Sequence, residues 1–280
     1  MFIKRIFTLV VGFTLIALQT LAQSQPDYKK NWKKVQALED KGLPKSALAE
    51  VMNIYKMATK DNNEPQVIKT YIYQIKYRSQ IEEDNQEKNI AFVDSLIQKT
   101  KAPAKNVLQS IQADMYWNYL EDNRWKFNER TRLADDRSKD IATWSIDKLF
   151  ATITQLYNSS LSNTSLLKST AVGYFDAILI KGENTRQLRP TLYDLLAHRA
   201  LYYFMSNETG SALPSYEFKI KDKVVFGSAH EFINASFPGK DSLAPHRHAL
   251  MLLADLTKFH INDPSPDALI DLDLMRFSFA

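Results

Sequence analysis

Five histidines, 32 acidic side chains and no cysteine make up the chain's repertoire for acid–base and metal chemistry. Without cysteine there is no disulfide, no thiolate nucleophile and no Cys-based zinc site, so a metal could be held only by His and carboxylates. The nearest approach to a metal signature is His230-Glu231-Phe232-Ile233-Asn234. It begins like HExxH, in which two histidines a helical turn apart hold zinc and the Glu activates water, but Asn234 stands where the second histidine belongs. His246-Arg247-His248 places two imidazoles two residues apart, which is one face of a strand but opposite sides of a helix, and the surrounding period is helical. His198 and His260 have similar helical settings, with no nucleophile paired to them in the sequence. These histidines are read as solvent-facing or helix-packed, and no metal, cofactor or catalytic residue is expected.

Serine chemistry is equally thin. Ser145-Ile146-Asp147-Lys148 and Ser165-Leu166-Leu167-Lys168 both fit SxxK, where a lysine activates a serine for acyl transfer. The accompanying Ser-Asp-Asn and Lys-Thr-Gly elements are missing, so both serines are read as helix caps. GxSxG, GxGxxG and the P-loop are absent, and Gly239-Lys240 lacks both the upstream Gly and the following Ser/Thr. Seven glycines in 280 residues disfavour nucleotide-binding folds, whose loops need several close together. The carboxylate pairs Asp135-Asp136 and Asp271/Asp273 are read as solvated loop or cap positions. Aromatic clusters at Tyr71/Tyr73/Tyr77, Tyr116-Trp117/Tyr119 and Tyr202-Tyr203-Phe204 suit packing between helices, with a peptide groove as the functional alternative.

The elements that would carry these side chains are helical almost throughout. Trp32, Val35 and Leu38 give one helix over Tyr28–Lys41, Gly42 stops it, and Pro44 opens a second with Ala47, Leu48, Val51, Ile54, Tyr55 and Ala58 as its stripe. Further helices are predicted over Pro65–Asp84, Glu87–Lys99, Pro103–Asp122, from the cap Ser145 through Tyr157, Leu166–Leu179, Pro190–Met205, Leu243–His260 and Pro266–Phe277. Asn123–Thr143 reads as a charged surface connection. Ser215–Gly227 alternates and reads as a small β-hairpin. The expected fold is mainly α: stacked antiparallel hairpins in a tetratricopeptide-like α-α superhelix, with one small β-hairpin near 215–227. Residues 23–213 form the hairpin domain, 214–240 the β-hairpin or loop insertion, and 241–280 the C-terminal helices. Leu269, Leu272, Met275, Phe277 and Phe279 make the last helix look like a stripe awaiting a partner, hence part of something longer.

Met1–Ala22 reads as a secretory signal: Lys4 and Arg5, an apolar run from Ile6, then Thr20-Leu21-Ala22 for cleavage before Gln23. The run is short and interrupted for a membrane anchor, so no stable span is expected after cleavage. The exported chain would be periplasmic or secreted. Losing Lys4 and Arg5 leaves 34 of the 36 basic residues against 32 acidic ones, a near balance that gives no nucleic-acid footprint. The basic group Lys29-Lys30 with Lys33-Lys34 is read as a solvated helix face. Asn207-Glu208-Thr209 would matter only in a glycosylating host.

Three stretches together resemble the N-terminal helical region of bacterial alpha-2-macroglobulin family proteins. They are Trp32-Lys33-Lys34-Val35 with Lys41 to Leu48, Ala113-Asp114-Met115-Tyr116-Trp117 with Asn123-Arg124-Trp125, and Arg189-Pro190-Thr191-Leu192-Tyr193-Asp194-Leu195-Leu196-Ala197-His198-Arg199-Ala200. The resemblance implies the leading helical module of an endopeptidase inhibitor, acting by protein–protein interaction. Its partners would be downstream macroglobulin domains and, in the full-length form, proteases. Such proteins trap proteases with a bait segment and often a Cys–Gln thioester, neither of which these 280 residues contain. No family site residue carries over. The alternative is a free-standing periplasmic helical-repeat adaptor that binds a peptide or partner protein.

Overall fold

The computed structural model describes residues 27–83, 85–128, 138, 140–183, 185–206, 223–241 and 243–280. The proposed signal at residues 1–22, the pair Asp135-Asp136 and Asn207 all lie outside the described residues. Twelve helices are described here: α1 (Tyr28–Glu39), α2 (Pro44–Lys60), α3 (Glu64–Ile81), α4 (Gln86–Ile97), α5 (Ala104–Asp122), α6 (Arg124–Asn128), α7 (Ile146–Ser160), α8 (Thr164–Ser169), α9 (Leu192–Phe204), α10 (Ala229–Phe232), α11 (Pro245–His260) and α12 (Asp267–Phe279). The fold is mainly helical, and no described helix is long and apolar enough to cross a membrane.

Local chemistry places the first turns. Asp27 caps α1 by accepting from the Lys30 N–H. At its other end Gly42, at φ +66°, donates to Glu39 O, and Leu43 donates to Leu38 O. That paired pattern is a Schellman stop, which needs a left-handed residue and turns the chain back at once into α2. Asn62, at φ 53°, repeats the device between α2 and α3. α2 packs on both α1 and α3, burying Val35, Ala47, Val51, Ile54 and Tyr77 in a small cluster. A larger core follows, built mainly where α5 packs on α7 and where α9 is surrounded by α5, α7, α8 and α11. Leu108, Leu120, Leu149, Ile153, Tyr157 and Phe204 are essentially inaccessible there.

Several expectations are corrected. Leu166–Leu179 is not one helix: α8 ends at Ser169, Ala171 and Thr191 form an isolated antiparallel bridge, and Val172–Ile178 is a 3-10 segment. The cause is tertiary, because Val172 N–H donates to Pro190 O and Leu192 N–H to Thr170 O, pulling the backbone out of the helical ladder. Pro190 therefore lies before α9, whose cap is Thr191. The Asn123–Thr143 connection is anchored by α6 and by a 3-10 turn at Ile141–Thr143, with Phe127 and Ile141 buried. The second arm of the expected hairpin is a 3-10 turn over Lys223–Phe226: Val225 is fully buried and Gly227 N–H closes on Val224 O. Its first arm, Tyr216–Ile220, lies outside the described residues. On α12, Ala268, Leu272 and Arg276 are buried, and Met275 and Phe279 pack against the core. Ile270, Leu274 and Phe277 are exposed, with Phe226 stacked on Phe277.

Candidate functional site

Positions three, four and seven apart share one face of a helix. On α9 that spacing aligns Leu195, His198, Arg199 and Tyr202, and on α5 it aligns Asp114, Trp117 and Asn118. The two faces border a cleft of about 790 Å³, which Met275 of α12 also lines. Leu195, Met205 and Met275 are half-buried and form an apolar floor. Tyr202 stands on the lip, 77% exposed, and its ring leans on Trp117, which also meets Tyr203 edge-on at 5.2 Å.

The polar groups of the cleft are held by the core behind it. Arg199 donates through Nε to Ser110 Oγ at 2.8 Å and through Nη2 to Asp114, which also accepts the Tyr157 hydroxyl. Burial pushes the Asp114 carboxyl up despite these donors, while the Tyr157 phenol is raised by burial and by the carboxylate it faces. His198 Nδ1 lies 2.8 Å from Asp194 O. His198 Nε2 and Arg189 Nη2 each sit 3.7 Å from Asp271 Oδ2, and together they hold the Asp271 carboxyl below its usual range. Asp271 and Asp273 are thus partnered, contrary to the solvated reading, since Arg276 reaches Asp273 at 2.7 Å.

Behind α9 lies a second polar cluster. Thr191 and Asp194 form a capping box, and the other Asp194 oxygen accepts from His260 Nε2 at 2.8 Å. His260 Nδ1 meets Asp263 Oδ2 at 2.6 Å. Both imidazole nitrogens are committed to carboxylates, so this buried cluster ties α9 to the end of α11 and leaves neither nitrogen to serve as a base for a hydroxyl.

The remaining motifs make local contacts. Glu231 of the HExx fragment closes a capping box with Ser228 at the start of α10, His230 is exposed, and Asn234 donates to His230 O. Ser145 caps α7 by accepting the Lys148 N–H, and Lys168 lies 3.4 Å from Asp255. His246 and His248 are half-buried, one edge-on to Phe279 and the other stacked on Phe204, so they diverge as a helix requires and are not solvent-facing. Among the described residues no three His, Asp or Glu side chains gather in a geometry that could hold a metal. Tyr77 and Tyr119 pack inside, as does Tyr203 against Tyr157.

No protein-family model, curated protein or solved structure matches the chain. The cleft offers an apolar floor, an exposed ring and pinned ionic groups, an arrangement suited to holding an amphipathic segment. Sequence reading found Trp117 and Tyr202 but grouped each with its chain neighbours. The i, i+3, i+4, i+7 run Leu195/His198/Arg199/Tyr202 was the signal that would have separated the cleft face from the core face.

Proposed function

We propose that the chain is an exported helical interaction module that grips a polypeptide in the α5/α9 cleft, and that it is the leading module of an alpha-2-macroglobulin-like endopeptidase inhibitor. The observation that carries the binding role is the cleft itself, in which an exposed tyrosine stands over an apolar floor of Leu195, Met205 and Met275. What supports the host protein is resemblance: Ala113–Trp117 and Arg189–Ala200, two of the three stretches that carry it, supply the cleft's two walls. The finer fold reading is a tetratricopeptide-like superhelix, supported by the two Schellman turns that reverse the chain between α1, α2 and α3. The role assigned is docking, without catalysis, and the destination is the periplasm or the medium after loss of residues 1–22. A free-standing adaptor that binds a peptide or partner protein through the same cleft is the second reading.

A random peptide library panned on the immobilised chain, followed by a panel of endopeptidases, tests both. Tyr202→Ala is the control, because so exposed a ring can be removed without unfolding the protein. Truncating an anchoring tyrosine should weaken a bound peptide roughly 5- to 30-fold. Peptide binding that Tyr202→Ala weakens supports the docking role of the cleft, and protease retention that Tyr202→Ala abolishes favours the inhibitor reading over the adaptor. Binding of neither class, or binding indifferent to Tyr202, refutes the docking role of the cleft.

A further inference from the structure

A second groove, of about 460 Å³, lies between α1 and α3, far along the chain from the α5/α9 cleft. Its border carries Lys29, Lys33 and Lys69 with Trp32, Gln66 and Tyr73, and no carboxylate lines it. Lys29 and Lys33 are one helical turn apart on α1, both exposed, and Lys69 faces them from α3. None of the three forms an ion pair among the described residues, whereas the neighbours Lys34 and Lys76 are paired with Glu50 and Glu39. Asp27 caps α1 by accepting from Lys30 N–H, and Asp61 accepts from the Tyr28 hydroxyl.

Two further features concentrate positive potential there. The first turn of α1 carries Lys29 and Lys30 and no acidic residue, with the Asp27 carboxylate at the N-cap offsetting part of that charge. Lys69 is half-buried, its ammonium 4.4 Å from the centre of the Trp32 ring and 5.9 Å from that of Tyr73. Burial lowers its pKa, which marks a place where water screens charge poorly and an arriving anion is held more strongly. Trp32 Nε1 donates to Gln66 Oε1 at 2.7 Å, which leaves the Gln66 amide nitrogen to donate into the groove.

We propose that the groove between α1 and α3 binds a tetrahedral oxyanion ester, a phosphate or sulfate monoester, through Lys29, Lys33 and Lys69. Three lysines bordering one groove from two helices suit an oxyanion that can be approached from several directions. Planar, two-point recognition of a carboxylate is the task for which arginine is suited, and no arginine lines this groove. The Trp32 ring is already covered by Lys69 and Tyr73, so recognition is by charge and not by stacking.

The test is calorimetric titration of the chain with inorganic phosphate and with sulfate at constant ionic strength. The double variant Lys29→Gln/Lys33→Gln is compared with Lys99→Gln/Lys101→Gln, an exposed pair elsewhere that makes the same change in net charge. The expected result is a dissociation constant about tenfold weaker or more for the groove variant and unchanged for the control pair. Vesicles containing phosphatidic acid, whose headgroup is a phosphate monoester, and soluble glucose phosphate form the second arm. Vesicle retention lost in the groove variant assigns the ester to a lipid headgroup, and competition by the sugar phosphate without retention assigns it to a soluble ligand. Absence of phosphate and sulfate binding, or equal weakening in the two double variants, overturns the proposal.

Discussion

Asp194→Ala should be among the most damaging single substitutions in this protein. The carboxylate is fully inaccessible and accepts three hydrogen bonds: Thr191 N–H at 2.9 Å, Thr191 Oγ1 at 2.7 Å and His260 Nε2 at 2.8 Å. Alanine removes the acceptor of the Thr191 N–H, one half of the α9 capping box, and strands a 2%-exposed imidazole beside Asp263. Breaking one side of a buried ion pair costs roughly 3–5 kcal/mol, because the partner's desolvation is no longer compensated. At about 2–4 °C per kcal/mol for a protein of this size, the melting temperature should fall by roughly 6–20 °C. Thermal unfolding of Asp194→Ala, His260→Ala and the double variant forms the assay. The two residues share one network, so the double variant should lose less than the sum of the singles, by about 1 kcal/mol or more. A single variant within about 2 °C of the parent, or strict additivity, would refute the account of this cluster as a tie between α9 and α11.

Three other expectations follow from named contacts. Burial disfavours the His260 imidazolium, but Asp194 and Asp263 outweigh it and raise its pKa above 6.5. Burial likewise disfavours the Asp194 carboxylate, but the donors from His260 and Thr191 reverse it and lower the pKa below 3.8. His260 therefore contributes fully below about pH 6.5 and loses its contribution as pH rises through its raised value, while Asp194 loses its own as pH falls through its lowered value. Melting curves across pH should show a plateau between these limits, with a flattened alkaline limb in His260→Ala. Gly42→Ala meets no atom within 4 Å but forces a left-handed residue at φ +66°, so it should cost about 1 kcal/mol, read as a small drop in melting temperature with no change in circular dichroism. Tyr157→Phe removes a donor from the Asp114 carboxylate and leaves Arg199 to hold it, at about 1.5 kcal/mol by denaturant titration.

The mainly helical class was legible because amphipathic period and turn chemistry are local. Val35, Val51 and Ile54 recur at helical spacing, and Gly42, Asp27, Ser145 and Asn63 stop or cap helices through atoms within a few residues of themselves. Where local signals met long-range pairing, the reading broke down. Leu166–Leu179 carries a helical stripe, yet Thr170 and Val172 bond to a segment about 20 residues away, and no periodicity within the stretch records that partner. The same limit hid the candidate sites. Each wall of the α5/α9 cleft shows its own spacing, but only packing sets Asp114 against Arg199, 85 residues apart, and Asp194 against His260, 66 apart. It is also packing that sets Lys69 beside Trp32. Helix hydrogen bonds span four residues, so most of these helices, the Leu166–Leu179 stretch excepted, are legible in the amino-acid order. Which faces meet, and so which charges are neutralised and which remain open, depends on burial summed over the whole core and was decided only by the tertiary structure.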